Sequence, residues 1–392
     1  MNFCRGSIAA MVLAVGLALS SCISAAPTGE AAHALCRGAG LTISADFSGA
    51  GQHECNVWSR FDVTISVMHE RSTSGPVNPS PWYAFAVQSD TKRAVTLTLD
   101  YLDYEHRYTP YVSVEGGAWT KFDPGRVGLN AEEHIATFTL ELSAGVTYVA
   151  AHPVRTVEQS LEAARELAAR HGLQEKEYGS SVEGRPLLAF EKGAERANKI
   201  IIALTRQHPP ELPGAAGYAV FMETLLAEAP GGFWDEHLLV AVPLPNPDGV
   251  EHGHWRLNAG GVDLNRDWYE QAQPEIAALT AHLKARAEGR RAVAMFDFHS
   301  TWSTVIYTPP FDNASPDAGF LPQLKAQLDR PGCSEPEWKP GHRADSGTSK
   351  SWGLEALGAP AITVEFGDEE DPETVSCMAA EIAREVIAYS QR

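Results

Sequence analysis

Two hydrophobic rhythms take turns through the chain from about residue 155 onward. Predominantly apolar runs at 199–204, 237–242, 292–298 and 361–366 have the length of buried strands, and stretches near 157–169, 214–229, 274–287, 316–328 and 373–390 read as helices. Gly179-Ser-Ser-Val-Glu-Gly-Arg-Pro186 is a hairpin signal. Strands alternating with helices predict an α/β sandwich around a largely parallel sheet. Such sheets bind ligands outside the carboxyl ends of their strands, so residues just past each run are where chemistry is expected.

The rhythm differs between about 41 and 150. Short alternating segments such as Phe61-Asp-Val-Thr-Ile-Ser-Val67 and Val95-Thr-Leu-Thr-Leu99 are separated by turn residues (Gly75, Pro76, Asn78, Pro79, Gly116, Gly117, Pro124, Gly125). This is the texture of a small all-β sandwich. Its aromatics, among them Trp82, Tyr83, Phe85, Tyr101, Tyr108 and Trp119, fall in alternating strands and read as core or edge packing, with a binding face as the other reading.

At the start of the chain, Arg5 and a dozen apolar residues from Ile8 to Leu19 read as a signal peptide, since the run is too short to span a bilayer. It ends in Leu19-Ser20-Ser21-Cys22, which resembles the lipobox of bacterial lipoproteins, whose cysteine is acylated. An ordinary secretory signal cleaved near Ala25-Ala26 is the alternative. The expected division is signal peptide 1–21, an Ala- and Gly-rich linker 22–40, β-sandwich 41–152 and a second domain 153–392. Ile23 and Ser24 lack the acidic residue that retains inner-membrane lipoproteins, which points to an outer-membrane anchor facing the periplasm or the cell surface.

A composition of 44% hydrophobic and 21% charged residues is that of a folded protein, and a net charge of −19 argues against nucleic acid or an anionic membrane face as partner. Contact with a membrane is then expected through the lipid anchor only. With Cys4 removed and Cys22 acylated, four cysteines remain. An oxidising compartment permits two disulfides, and proximity suggests Cys36 with Cys55 and Cys333 with Cys377, while buried free thiols are the other reading.

Polar residues cluster where the strand ends predict. Thr205-Arg206-Gln207-His208-Pro209-Pro210-Glu211 follows the first long run, and an imidazole and a carboxylate three apart can reach one zinc ion. The same spacing also recurs by chance on surfaces. Phe296-Asp297-Phe298-His299-Ser300 places a second histidine at another strand end, completing a His2Glu set with an open position. Between them lie Asn246-Pro-Asp-Gly249, Trp255-Arg256-Leu-Asn258 and Gly261-Val-Asp263-Leu-Asn265-Arg266-Asp267-Trp268. Arginines so close to a site suit carboxylate or polarised carbonyl oxygens, although a solvated loop with structural ion pairs has the same composition. Ala361-Ile-Thr-Val-Glu365-Phe-Gly367 carries a carboxylate in a buried strand, costly unless it is paired or used, as a general base would use it.

In that order, His208-Pro-Pro-Glu211, Asn246-Pro-Asp-Gly249, Arg256, Asp263-Leu-Asn265-Arg266, His299-Ser300 and Glu365 resemble the M14 zinc carboxypeptidases over about residues 175 to 390. Asn78-Pro-Ser-Pro-Trp82-Tyr83-Ala-Phe85 resembles the amino-terminal domain of the cytosolic-carboxypeptidase branch. The resemblance implies an α/β/α sandwich with a mixed, largely parallel sheet, and one zinc ion bound by His208, Glu211 and His299. It further implies Glu365 as general base, Arg256 as oxyanion stabiliser, Asn265 and Arg266 as grips for the substrate's terminal carboxylate, and Asp263 orienting His208.

Two positions depart from the family. Its mobile tyrosine lies nine residues before a tryptophan, and counting back from Trp352 reaches Arg343 with no tyrosine nearby. Lys350 stands two before Trp352, at the offset that reads the terminal side chain, and with Arg343 it predicts a preference for Glu, Asp or another anionic group. The leading expectation is an exported zinc carboxypeptidase acting on peptides with a free carboxylate. A hydrolase of a non-standard amide, such as a peptidoglycan stem peptide or an acyl amino acid, and a non-catalytic lipoprotein that binds peptide carboxylates are the competing readings.

Overall fold

The computed structural model describes residues 34–391 except 76, 313, 314, 316, 318, 331, 334 and 345. The expected signal peptide and Cys22 lie outside the described residues. The amino-terminal strands are β1 (Ala34–Gly38), β2 (Leu41–Ser44), β3 (His53–Val57), β4 (Asp62–Val67), β5 (Ala84–Ser89), β6 (Arg93–Asp100), β7 (Tyr111–Val114), β8 (Thr120–Lys121), β9 (Gly128–Asn130), β10 (Ile135–Leu142) and β11 (Gly145–Ala150). Among the described residues they form two sheets, β1-β2-β5-β11-β7-β8 and β3-β4-β6-β10-β9. Alternate residues such as Val63, Ile65 and Val67 or Val95, Leu97 and Leu99 are fully buried in one core with Phe85 and Phe138.

The first strand corrects the expected linker, because β1 falls inside 22–40. It is an edge strand with no fully buried residue, so its sequence lacks the alternation that marks the others. Cys36 on β1 is bonded to Cys55 on β3, tying the two sheets together, and Cys333 is bonded to Cys377, the pairs that sequence proximity suggests.

The second part runs α1 (Val157–His171), β12 (Gln174–Ser180), β13 (Pro186–Lys192), β14 (Lys199–Thr205), α2 (Leu212–Glu228), α3 (Phe233–Glu236), β15 (His237–Val242), α4 (Pro247–Glu251), α5 (Pro274–Ala287), β16 (Arg291–Thr301), β17 (Val305–Thr308), α6 (Phe320–Leu328), β18 (Glu337–Pro340), α7 (Ser349–Leu357), β19 (Ala361–Gly367) and α8 (Pro372–Ser390). Its sheet has the order β12-β13-β15-β14-β16-β19-β17-β18. The central strands β15, β14, β16 and β19 are parallel to one another, while β13 and β17 pair antiparallel to them. Successive residues of the central strands face opposite layers. Ile201, Ala203, Phe296, Phe298, Val364 and Phe366 pack against α2, α6 and α8. Ile200, Ile202, Leu204, Met295 and Ala361 pack against residues of α5 and α7. Polar residues that interrupt this second set, at the carboxyl ends of β16 and β19, therefore open onto the α7 side.

Candidate metal centre and active site

His208 and Glu211 lie on the loop from β14 into α2, with Glu211 the residue that precedes the helix and Pro213 in its first turn. That loop sits close against β16. A side chain at Gly214 would come within 2.4 Å of the His299 carbonyl oxygen, so only glycine lets α2 begin there. His299 stands near the end of β16, buried like the other two residues. Three donor groups meet at one point: His208 Nδ1 is 2.8 Å from Glu211 Oε1, His299 Nδ1 is 2.7 Å from Glu211 Oε2, and the two Nδ1 atoms are 3.2 Å apart.

The opposite ring nitrogens are held by carboxylates. His208 Nε2 is 3.0 Å from Asp263 Oδ1, and His299 Nε2 is 2.9 Å from Asp297 Oδ2. With both Nε2 protons donated to these acceptors, neutral imidazoles turn two Nδ1 lone pairs toward each other and toward a carboxylate. Such a donor set asks for a cation. Two nitrogens about 2.0–2.1 Å from a tetrahedral zinc would be roughly 3.3 Å apart, so the residues fit zinc. Burial opposes ionisation of Glu211; protonated His208 and His299 would overcome it and hold its carboxyl well below the usual range, and a cation bound by the neutral imidazoles would act in the same direction.

The surrounding loop is organised on Asp263, whose second oxygen accepts from Arg256 Nε at 2.6 Å. Arg256 is placed from the other side by the β-sandwich. The Glu70 carboxylate, on the loop after β4, accepts from the backbone N–H groups of Trp255 (2.6 Å), Arg256 (2.7 Å) and Leu257 (2.9 Å). Asn265 is buried with its amide oxygen engaged, Oδ1 accepting from Ser349 N at 2.9 Å, while its Nδ2 lies 3.4 Å from His299 Nε2, itself a donor to Asp297. Arg266 is exposed and donates Nη1 to the Asn265 carbonyl at 2.7 Å.

Glu365 lies opposite His299 in the parallel pairing of β16 and β19, so both side chains emerge on one face of the sheet. Its carboxylate receives no hydrogen bond or ion pair from the described residues. Burial is the main influence on it, only partly offset by His299, and its pKa rises to about 7. Lys350 is tied to the main-chain oxygens of Thr308, at 3.3 Å, and Gly341, and Arg343 is exposed on the loop before α7.

Sequence reasoning assigned no role to Asp297, Glu70, Gln207 or Ser349. Asp297 accepts from Gln207 Nε2 at 2.6 Å and from Ser349 Oγ as well as facing His299. Its signal was present: it is a carboxylate inside an apolar strand, two residues before His299 and hence on the same face. Glu70 lies about 185 residues from the loop it holds, which no local pattern reveals.

An α/β sheet that gathers two imidazoles, a donor carboxylate and a separate unengaged carboxylate at its strand ends defines a metallohydrolase. Residues 161–385 match the zinc carboxypeptidase family, which is more than half of the chain, and the chain belongs to that family. Cytosolic carboxypeptidase 2 of Danio rerio is 33% identical over 116 residues, covering 27% of this chain and 16% of that relative. Cytosolic carboxypeptidase 1 of the same organism is 29% identical over 159 residues, covering 34% of this chain and 14% of the relative, so the chain matches well under a fifth of these proteins. A metallo-carboxypeptidase from Burkholderia cenocepacia superposes with a TM-score of 0.72 at 18% identity, covering 90% of this chain and 99% of that one. A metallo-carboxypeptidase from Pseudomonas aeruginosa, solved with (2-guanidinoethylmercapto)succinic acid, gives 0.70 at 18% identity, covering 89% and 99%. At such identity these two likenesses concern the fold, and they extend over the β-sandwich as well as the catalytic part.

Proposed function

We propose that this chain is a zinc carboxypeptidase that removes carboxyl-terminal residues, preferentially Glu or Asp, from peptides at the cell envelope. The observation that carries the reading is Glu365, a carboxylate without a hydrogen-bond or ion-pair partner among the described residues, beside the His208, Glu211 and His299 donor set, with a pKa raised to about 7 by burial. A general base is most effective when its pKa lies near the working pH.

His208 and His299, through Nδ1, and Glu211 would hold the zinc, with Asp263 and Asp297 fixing the tautomers from behind. Zinc supplies Lewis acidity, making water acidic and polarising a carbonyl. Glu365 takes the proton of the attacking water and returns it to the leaving amine. Arg256, anchored through Nε on Asp263, has its remaining guanidinium nitrogens for the oxygen on which negative charge develops. Arg266 receives the terminal carboxylate, steadied by the Asn265 carbonyl, and Lys350 favours an acidic side chain. The exported location is supported by the signal-like start of the sequence and by two disulfides, which suit an oxidising compartment.

The test is release of terminal residues from short peptides ending in Glu, Asp, Lys, Leu or Phe, by the soluble form starting after Cys22. Release of Glu and Asp should dominate, stop with a zinc chelator, and fall by roughly 10²–10⁴-fold in Glu365→Gln. No release from any peptide by protein that holds zinc would redirect the assignment to a non-standard amide.

A further inference from the structure

Two arginines meet where the β-sandwich packs on the catalytic part, with no carboxylate between them among the described residues. Arg206, directly after β14 and two residues before His208, is 4% exposed and holds a left-handed φ of 62°, a conformation that costs a non-glycine residue on the order of 1 kcal/mol or more. Its Nη2 donates to the Arg155 carbonyl at 3.3 Å, and its Nε is buried with no partner among the described residues. Arg155, half-buried on the segment before α1, donates Nη2 to the Gln159 carbonyl at 3.4 Å. Neither guanidinium has an ion pair among the described residues; Glu211 acts on Arg206, and Glu166 on Arg155, only from a distance.

Both arginines line one cavity of about 20 Å³, together with Gly49 and Trp82 of the sandwich and with Pro209 and Pro210 between the two donor residues His208 and Glu211. Two cations around one small space, Arg206 buried and Arg155 half-buried, are mutually repulsive, and a buried charge is stable only when countered. The space is about that of one water-sized particle.

We propose that Arg155 and Arg206 form a binding site for one small monovalent anion, chloride in ordinary media. Bound there, the anion neutralises the pair, fastens the sandwich to the catalytic part, and steadies the loop that presents His208 and Glu211. The site is separate from the substrate cleft, so its failure would leave the peptidase assignment untouched.

The experiment uses bromide as the probe. Crystals of the zinc-loaded protein soaked in sodium bromide should show an anomalous peak between Arg155 and Arg206. In solution, chloride should raise the Tm saturably, by about 2–4 °C over gluconate at equal ionic strength. Arg155→Gln, at the less buried position, should fold and lose that increment, whereas Arg206→Gln alone would leave misfolding as an explanation. An absent peak removes the site. A peak without a chloride-dependent Tm removes the coupling to the loop, and an increment that survives in Arg155→Gln removes the role of the pair.

Discussion

The proposed role of Lys350 in reading an acidic terminal side chain would couple substrate preference to pH. Its ammonium is held by the carbonyls of Thr308 and Gly341, with no carboxylate to favour the charge, and burial lowers its pKa to about 8. The group is a cation below that value and neutral above it. The ratio of kcat/KM for a peptide ending in Glu to one ending in Leu should therefore be high at pH 7 and fall roughly tenfold by pH 9, since kcat/KM follows the free enzyme's titration. Glu365 serves both substrates, so its own ionisation cancels in the ratio. A ratio flat across that range, or unchanged in Lys350→Met, would remove Lys350 from the specificity pocket. At this scale the sequence was readable where chemistry is compressed into short strand-end motifs: His208, Glu211, His299 and Glu365 each stand just where an apolar run closes. Asn265 was less readable. Its type fits a carboxylate grip, but its amide oxygen is spent on Ser349 N, which leaves only the NH2 to donate, a fact that belongs to the folded loop alone.

The long central strands and the long helices were legible because a buried strand or an amphipathic helix repeats its pattern often enough to be seen. The spans of β15 and α5 coincide with the apolar run at 237–242 and the helical stretch at 274–287. Short elements were not. The four-residue strands β17 and β18 offer two positions per face, and α7 is nine residues with a glycine inside it. The loop carrying Arg256, the proposed oxyanion stabiliser, takes its shape from Glu70. Three backbone N–H groups converge on that one carboxylate, and charge-assisted hydrogen bonds of this kind are worth about 1.5–3 kcal/mol each when intact. Glu70→Gln keeps the shape but offers one neutral oxygen to donors that now share two. It should lower kcat by about tenfold to a hundredfold, less than the roughly 10²–10³ expected for losing an oxyanion donor outright, with KM and zinc content little changed. Equal losses in kcat and zinc content would instead indicate general unfolding around the loop.

Over the whole molecule, the two-part organisation could be read from the change of rhythm near residue 155, whereas the contact between the parts could not. Arg107 pairs with Asp368 at 2.7 Å across 261 residues, both buried, and Lys121 reaches Glu369. No periodicity records partners that far apart. The disulfides act on the same scale. Cys36–Cys55 spans 19 residues and Cys333–Cys377 spans 44, and in the chain-entropy account these closures contribute about 3 and about 4 kcal/mol respectively. Replacing Cys333 and Cys377 with serine should lower the denaturation midpoint more than the same change at Cys36 and Cys55, while zinc content stays at that of the unaltered protein. The reverse order would mean that joining the two sheets outweighs loop length. The grip of Glu70 on three consecutive amides has a consequence for anyone who would treat the two halves as interchangeable building blocks. The peptidase half borrows from its neighbour the acceptor that shapes its own arginine loop. Grafted onto another amino-terminal domain, or expressed by itself, it would keep every residue of the family signature and still lack the part that sets them in register.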